Sequence, residues 1–342
     1  MQTGKERVRR AVAFGNPDRV PRDLWALPWF ADRHPDFLRR LRERFPCDVG
    51  GVPSPYRPSP RWKGDPYALG RHTDDWGCTF ENHQAGAIGE VKKPILTDLS
   101  DWRNIVRPPY ETLPEDLSAA RDSVNRALEG ETRYVRCCAC PRPWERYQFL
   151  RGSFDALCDA AAGDDPDFLG ALGLIHEFYL REVEFWATTD VDCIQFMDDW
   201  GAQRQLLIRP EVWRAVFKPL YRDYCDIAHA HGKQTFMHSD GYTLEIIPDL
   251  IEAGVDSANL QLFTMDFADL APFRGRLAFW GEIDRQHVLT SADPEDGRRA
   301  VRKVRQTLET PAGGVIAEIE AGLATNPAVV EAIYDEWSLP AP

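Results

Sequence analysis

The chain has 342 residues, 43% of them hydrophobic, and 41 basic against 54 acidic side chains leave a formal net charge of −13. That is enough apolar material for a packed core and too much for a disordered chain, while so acidic a surface speaks against tracking a nucleic-acid backbone. No uninterrupted apolar run reaches about 18 residues, so no membrane span is expected.

The first residues, Met1 to Arg7, lack the apolar core of a signal peptide, so the expected location is cytoplasmic. The eight cysteines then read as thiols. Cys137, Cys138 and Cys140 have no matching second pair, and read as small buried strand residues rather than a zinc ribbon.

The spacing of Val8, Ala11, Val12 and Phe14 predicts a helix over 4–14, stopped by Asn16-Pro17-Asp18. A short strand follows at 19–25, then a helix at 36–45 and a strand at 48–52. Residues 53–110 are rich in Pro, Trp, Gly and Asp and poor in helical periodicity. They read as a long insertion over the mouth of the fold, with turns and a β-hairpin within 72–78 and 87–94.

From 115 onward helix and strand alternate. Helices are expected at 115–129, 145–161, 166–188, 210–231, 243–253, 294–308 and 327–337. Strands are expected at 132–138, 191–197, 233–238, 257–260, 277–280 and 313–320. Such repeated alternation implies a parallel sheet. Neither a Gly-x-Gly-x-x-Gly turn nor a P-loop is present, which favours a distorted (β/α)8 TIM-like barrel, one domain over 1–342.

Two of these strands finish in clusters of titratable groups. Gln234–Met237 runs into His238-Ser239-Asp240-Gly241, and Val191–Met197 into Asp198-Asp199-Trp200-Gly201. In a parallel α/β protein the C-terminal strand edge is where loops converge on a ligand. Adjacent carboxylates repel, which can raise one pKa and supply a general acid or base. Alternatively Asp198 is a structural cap and only Asp199 faces the crevice. Arg142 and Arg146 follow another strand and suit a substrate carboxylate in bidentate fashion, or a surface ion pair. Gln261, Glu282 and Asp284 also end strands. Trp25, Trp29 and Trp76 could form an apolar wall or be ordinary packing.

Several ordered motifs resemble those of the uroporphyrinogen decarboxylase superfamily. They are Arg7-Val8-x-x-Ala11 with Asn16-Pro17-Asp18-Arg19-Val20-Pro21, Asp198-Asp199-Trp200-Gly201, His238-Ser239-Asp240-Gly241, Trp280-Gly281-Glu282-Ile283-Asp284 and Gly313-Gly314-Val315-Ile316-Ala317. The resemblance covers nearly the whole chain and implies a distorted (β/α)8 barrel. Asp23 to Trp29 departs from the Met-Arg-Gln-Ala-Gly-Arg-Tyr signature of the haem-pathway decarboxylases.

The other branch implied is that of zinc methyltransferases, which move methyl groups between a corrinoid protein and a thiol or pterin. Their zinc is held by a His-x-Cys pair and a later Cys. Here His238 matches the His, Asp240 stands where the first Cys would be, and Ile316-Ala317-Glu318-Ile319-Glu320 replaces a stretch resembling Ile-Ala-Gln-Cys-Glu. Both thiolates are absent together, leaving a harder donor set.

The expectation is a methyltransferase using a corrinoid or pterin carrier. Its metal, zinc or another divalent ion, is held by His238, Asp240 and Glu320. The other reading of these positions is Asp240 as a helix cap and His238 as a hydrogen-bonding group. Asp199, His238 and Asp198 are the catalytic candidates, and Arg142, Arg146, Trp200, Gln261 and Glu282 line the substrate. A corrinoid protein partner and a homodimer follow from family habit. The alternatives are a cofactor-free decarboxylase of a porphyrinogen or another polycarboxylate, drawing on Arg19, Arg22, Arg142 and Arg146, and a non-catalytic small-molecule-binding barrel.

Overall fold

The computed structural model describes residues 1–57, 59–105, 107–108 and 113–340. It is a mixed α/β structure. A capping box between Thr3 and Glu6 starts α1 (Gly4–Val12), and Val8, Ala11 and Val12 are buried on one face. Arg7, on the same helix, is buried against Asp18 at 2.5 Å and Asp48 at 2.5 Å. Strand β1 (Trp25–Ala26), helices α2 (Pro28–Arg33) and α3 (Pro35–Arg44), and strand β2 (Val49–Gly50) follow.

The segment after β2 holds β3 (Gly70–Thr73), β4 (Thr79–Asn82) and β5 (Glu90–Lys93), an antiparallel sheet in the order β3-β4-β5. It carries one strand more than the expected hairpin. Its Trp76 packs edge-on against Phe178, and its Asp74 holds the buried Arg146 at 2.5 Å.

Next come α4 (Leu117–Leu128), β6 (Tyr134–Val135), α5 (Pro143–Arg151), α6 (Ser153–Ala162), α7 (Pro166–Ala187) and β7 (Cys193–Met197). The helix expected at 145–161 is two helices, parted at Gly152 with φ +88°. The one expected at 210–231 is also two, α8 (Pro210–Val216) and α9 (Lys218–Ala230), because Pro219 supplies no N–H for a continuous ladder. The remaining elements are β8 (Gln234–Ser239), α10 (Ile247–Ala253), β9 (Ser257–Leu260), α11 (Phe267–Leu270), β10 (Ala278–Trp280), α12 (Pro294–Leu308), β11 (Val315–Ile316), β12 (Glu320–Ala321) and α13 (Pro327–Trp337).

Five parallel strands form one sheet in the order β11-β10-β9-β8-β7. Backbone contacts continue past both edges. Arg136 bridges Cys193 beside β7, and Arg22 bridges Ala317 beside β11. β2 pairs with β6, β1 pairs with β12, and Asp48 N donates to Arg22 O at 2.8 Å.

The register decides what this sheet presents. Gln195 stands beside Phe236, which stands beside Ser257, and Met197 stands beside His238, which stands beside Asn259. Ser257 stands beside Ala278, and Trp280 beside Ile316. Side chains alternate with period two. One face therefore carries Cys193, Phe236, Ala278, Trp280 and Ile316, which pack with Val8, Ala11 and Val12 of α1. The other carries Ile194, Phe196, Met237, Ala258, Leu260, Phe279 and Val315, which join the larger core. With both faces covered, the strands read as continuous apolar runs.

The loops after β7 and β8 cross at two glycines. A Cβ on Gly241, whose φ is +78°, would stand 2.1 Å from Gly201 O. Gly241→Ala is expected to destabilise the chain by about 3 kcal/mol or more. Gly232→Ala, at φ +67° with open space around it, is expected to cost only about 1–2 kcal/mol. Urea denaturation midpoints of the two variants check the difference.

Candidate functional site

The candidate site is the zip between the ends of β7 and β8. Asp198 N donates to His238 O at 3.1 Å, Gly201 N to Asp240 O at 3.0 Å, and Asp240 N to the Asp199 carboxylate at 2.9 Å. Alternation along β7 sends Asp198 and Asp199 in opposite directions. Asp198 follows Phe196 into the core and is fully buried. Its two oxygens accept from Trp144 N at 3.0 Å, Glu145 N at 2.7 Å and Tyr221 OH at 2.6 Å, which makes it the cap of α5. Burial pushes its pKa up, yet every partner is a donor and the helix N-terminus faces it, which favours the carboxylate. Asp199 follows Met197 to the other face, where its side chain is 38% exposed. Burial by the surrounding elements and the Asp240 charge raise its pKa.

His238 Nε2 lies 3.5 Å from Asp240 and 3.8 Å from Asp199. Among the described residues, Asp199, His238 and Asp240 form a group whose ligand-capable atoms all lie within 4.8 Å of one another. One imidazole nitrogen and two carboxylates are a hard donor set that suits a divalent ion. The other ring nitrogen, Nδ1, is 2.5 Å from Asn259 Oδ1, and the Trp25 ring lies 5.6 Å from the imidazole.

Glu320 is not part of that group. The Arg285 guanidinium stands between Asp240 and Glu320, hydrogen-bonded to both, and its Nε lies 3.0 Å from Glu282. Glu282 and Glu318 are buried carboxyls whose pKa values are driven up, first by burial and then by neighbouring acids. Glu318 receives a hydrogen bond from Asn259 Nδ2 at 3.0 Å, while its Oε1 has no partner. Glu145, near the same mouth, has its pKa pushed up to about 6 by burial, with the Arg142 charge opposing.

The substrate-lining candidates divide. Glu282 and Gln261 line a cavity of about 240 Å³ with Gln203, Phe263 and Arg285, and Gln261 also accepts from Gly241 N at 3.0 Å. Arg142 is half-buried, 3.9 Å from Glu145. Arg146 is buried on Asp74, between the Trp76 and Phe149 rings, and is not presented to the mouth. Trp200 shares the parity of Asp198 and is fully buried, stacked on Trp144 at 5.4 Å. It supports the site from behind and cannot touch a substrate there.

Three residues of the site carry no early signal of their role: Arg285, Asn259 and Glu318. Arg285 directly follows the Trp280–Asp284 motif, and Asn259 is a polar residue in a buried strand, which demands a partner. Those two facts were the available clues.

No protein-family model matches the chain, and no curated protein does. Among solved structures it is similar to a methyltransferase from Methanosarcina mazei, at 15% identity and a TM-score of 0.63, with 98% of each chain covered. A glycosylated endo-β-1,4-xylanase from Gloeophyllum trabeum aligns at 11% identity and a TM-score of 0.38, covering 64% of this chain and 80% of that one. A D-psicose 3-epimerase aligns at 12% identity and a TM-score of 0.35, covering 70% and 83%. The first likeness shows a shared fold over nearly the whole chain.

Two predictions separate structural from functional acids. Asp198→Ala, which strands Tyr221 and the α5 N-terminus, is expected to lose about 3 kcal/mol of stability, and Asp199→Ala less than about 1 kcal/mol; chemical denaturation of both reads this. Glu145 has a folded pKa raised to about 6 from an ordinary 4.5. Its neutral form is favoured by folding, so its contribution is full below the unfolded pKa and is lost as pH rises through the folded one. Glu145→Gln should therefore gain stability relative to the parent chain between about pH 4.5 and about pH 7, seen in paired melting curves.

Proposed function

We propose that the chain is a one-domain (β/α)8 barrel enzyme of methyl transfer. It moves a methyl group between a corrinoid or pterin carrier and a small acceptor, with a divalent metal held by Asp199, His238 and Asp240. The observation that carries this is His238 Nε2 turned toward two carboxylates, within 3.8 Å of both. The barrel reading is supported by the run of parallel backbone contacts from β1 through β2, β6 and β7 to β11 and back to Arg22. The described part of 53–110 is then an insertion, tied to α5 by Asp74 on Arg146. The fold likeness to the Methanosarcina mazei methyltransferase supports the reaction class.

A bound divalent ion would supply a Lewis acid that lowers the pKa of an acceptor group. The chain's own residues do the rest. Asp199, half-buried, accepts or returns the acceptor's proton at its carboxylate. Arg285 holds Asp240 in place and balances the charge of Glu282 and Glu320. Glu282 and Gln261 orient the acceptor in the adjoining cavity. A corrinoid protein would approach at the same strand ends. A polycarboxylate decarboxylase has less support. Of its four arginines, Arg146 is engaged by Asp74, Arg19 by Asp48 and Arg22 by Ser338, which leaves Arg142, 3.9 Å from Glu145.

Elemental analysis of untagged protein is expected to find a stoichiometric divalent ion that disappears in His238→Ala. The loaded protein should then demethylate a methylated corrinoid in the presence of a thiol or pterin. Protein that stays metal-free after incubation with zinc would overturn the metal site.

A further inference from the structure

We propose that Asn259 is a positioning residue that locks His238 in a single tautomer, with hydrogen on Nδ1, and so reserves Nε2 for whatever is bound between Asp199 and Asp240. The proposal rests on the reading of that group as the active centre, and it can be tested apart from it.

The amide of Asn259 can sit only one way. The residue is buried in β9. Its Nδ2 is 2.6 Å from Trp280 O and 3.0 Å from Glu318 Oε2. A backbone carbonyl can only accept, so the atom facing it must be the nitrogen. A flipped amide would set its oxygen against the Trp280 carbonyl, two lone pairs face to face. Both amide hydrogens are therefore engaged, and Oδ1 is the atom 2.5 Å from His238 Nδ1. An amide oxygen has no hydrogen to give, so Nδ1 must donate.

This holds whether the imidazole is neutral or charged, since Nδ1 keeps its hydrogen in both forms. All exchange of a proton or an ion is confined to Nε2, the nitrogen that faces Asp199 and Asp240. A ligating histidine whose other nitrogen donates to a fixed acceptor is oriented and made more basic. Glu318 completes the line. Its Oε2 receives the second amide hydrogen whether the carboxyl is neutral or ionised. The Trp25 ring against the imidazole keeps the plane from rotating. Thus four neighbouring strand ends set the orientation of one lone pair: His238 on β8, Asn259 on β9, the Trp280 carbonyl on β10, and Glu318 just past β11.

The test is nitrogen NMR of the metal-free protein labelled with ¹⁵N-histidine, the His238 signals being assigned by their loss in His238→Ala. The expected result is a protonated Nδ1 and a bare Nε2 above the imidazole pKa. A bare Nδ1, or a mixture of tautomers, would overturn the proposal in the wild-type chain, with no variant needed. Asn259→Leu should give a tautomer mixture and weaken zinc affinity about 10–100-fold in a chelator competition. Unchanged tautomer and unchanged zinc affinity in Asn259→Leu would also overturn it. If the wild-type protein binds no ion yet shows the single tautomer, the metal reading fails and the positioning role of Asn259 stands.

Discussion

Carboxylates buried at the ends of parallel strands must find donors, and much of the architecture around the candidate site is the set of donors they found. An uncompensated buried charge costs several kcal/mol, a large part of the stability of any domain. Each acid here has a specific answer. Asp198 takes the N-terminus of α5 and the Tyr221 hydroxyl. Asp23 takes the indole N–H groups of Trp25 and Trp280, with Arg136 beside it. Asp240 and Glu320 hydrogen-bond the guanidinium of Arg285, whose Nε stands 3.0 Å from Glu282 as an ion-pair partner only. Glu318 takes the amide of Asn259. These donors lie on different strands and helices, so satisfying the acids fixes how the strand ends stand relative to one another.

What the donors do not cover is where chemistry can occur. Among the described residues, Asp199 keeps only the Asp240 N–H, and His238 Nε2 faces Asp199 and Asp240 without a hydrogen-bonding donor. The contrast with a thiolate zinc site lies in the same place. Asp240 offers a carboxylate, and Ile319 is packed in the apolar core. A thiolate is soft and makes a bound ion a poor Lewis acid. Carboxylates leave the ion harder and favour oxygen or nitrogen groups over thiols as the fourth partner.

Most strand positions were legible because both-face burial leaves continuous apolar runs, and because a polar cluster after such a run marks the C-terminal edge. Alternation alone separates Asp199 from Asp198, and Trp200 from the mouth, once the strand is known to keep its pleat through Met197. Glu320 has the right parity, yet the sequence carries no sign that a guanidinium three residues beyond Glu282 would come between it and Asp240. That contact joins three strand ends and exists only in the folded chain. The continuous helix expected at 210–231 failed for a local reason that was visible: Pro219 sits in its middle. The turns and hairpin expected within 72–78 and 87–94 left out the central strand Thr79–Asn82, whose four residues are too few to show a pattern.

The charge balance also bears on the choice between reactions. Within the cluster around His238 stand Asp199, Asp240, Glu282, Glu318 and Glu320, and the guanidinium in direct contact with them is Arg285. Arg285 already faces three of these acids, so it offers little to a further anion. A polycarboxylate entering here would meet like charge in a partly desolvated mouth, where repulsion is strong. A divalent cation would meet the opposite. It would relieve the repulsion between Asp199 and Asp240, which after burial raises the Asp199 pKa, and this relief would add to its binding. The same arrangement that resists a carboxylated substrate therefore favours a cation at Asp199, His238 and Asp240.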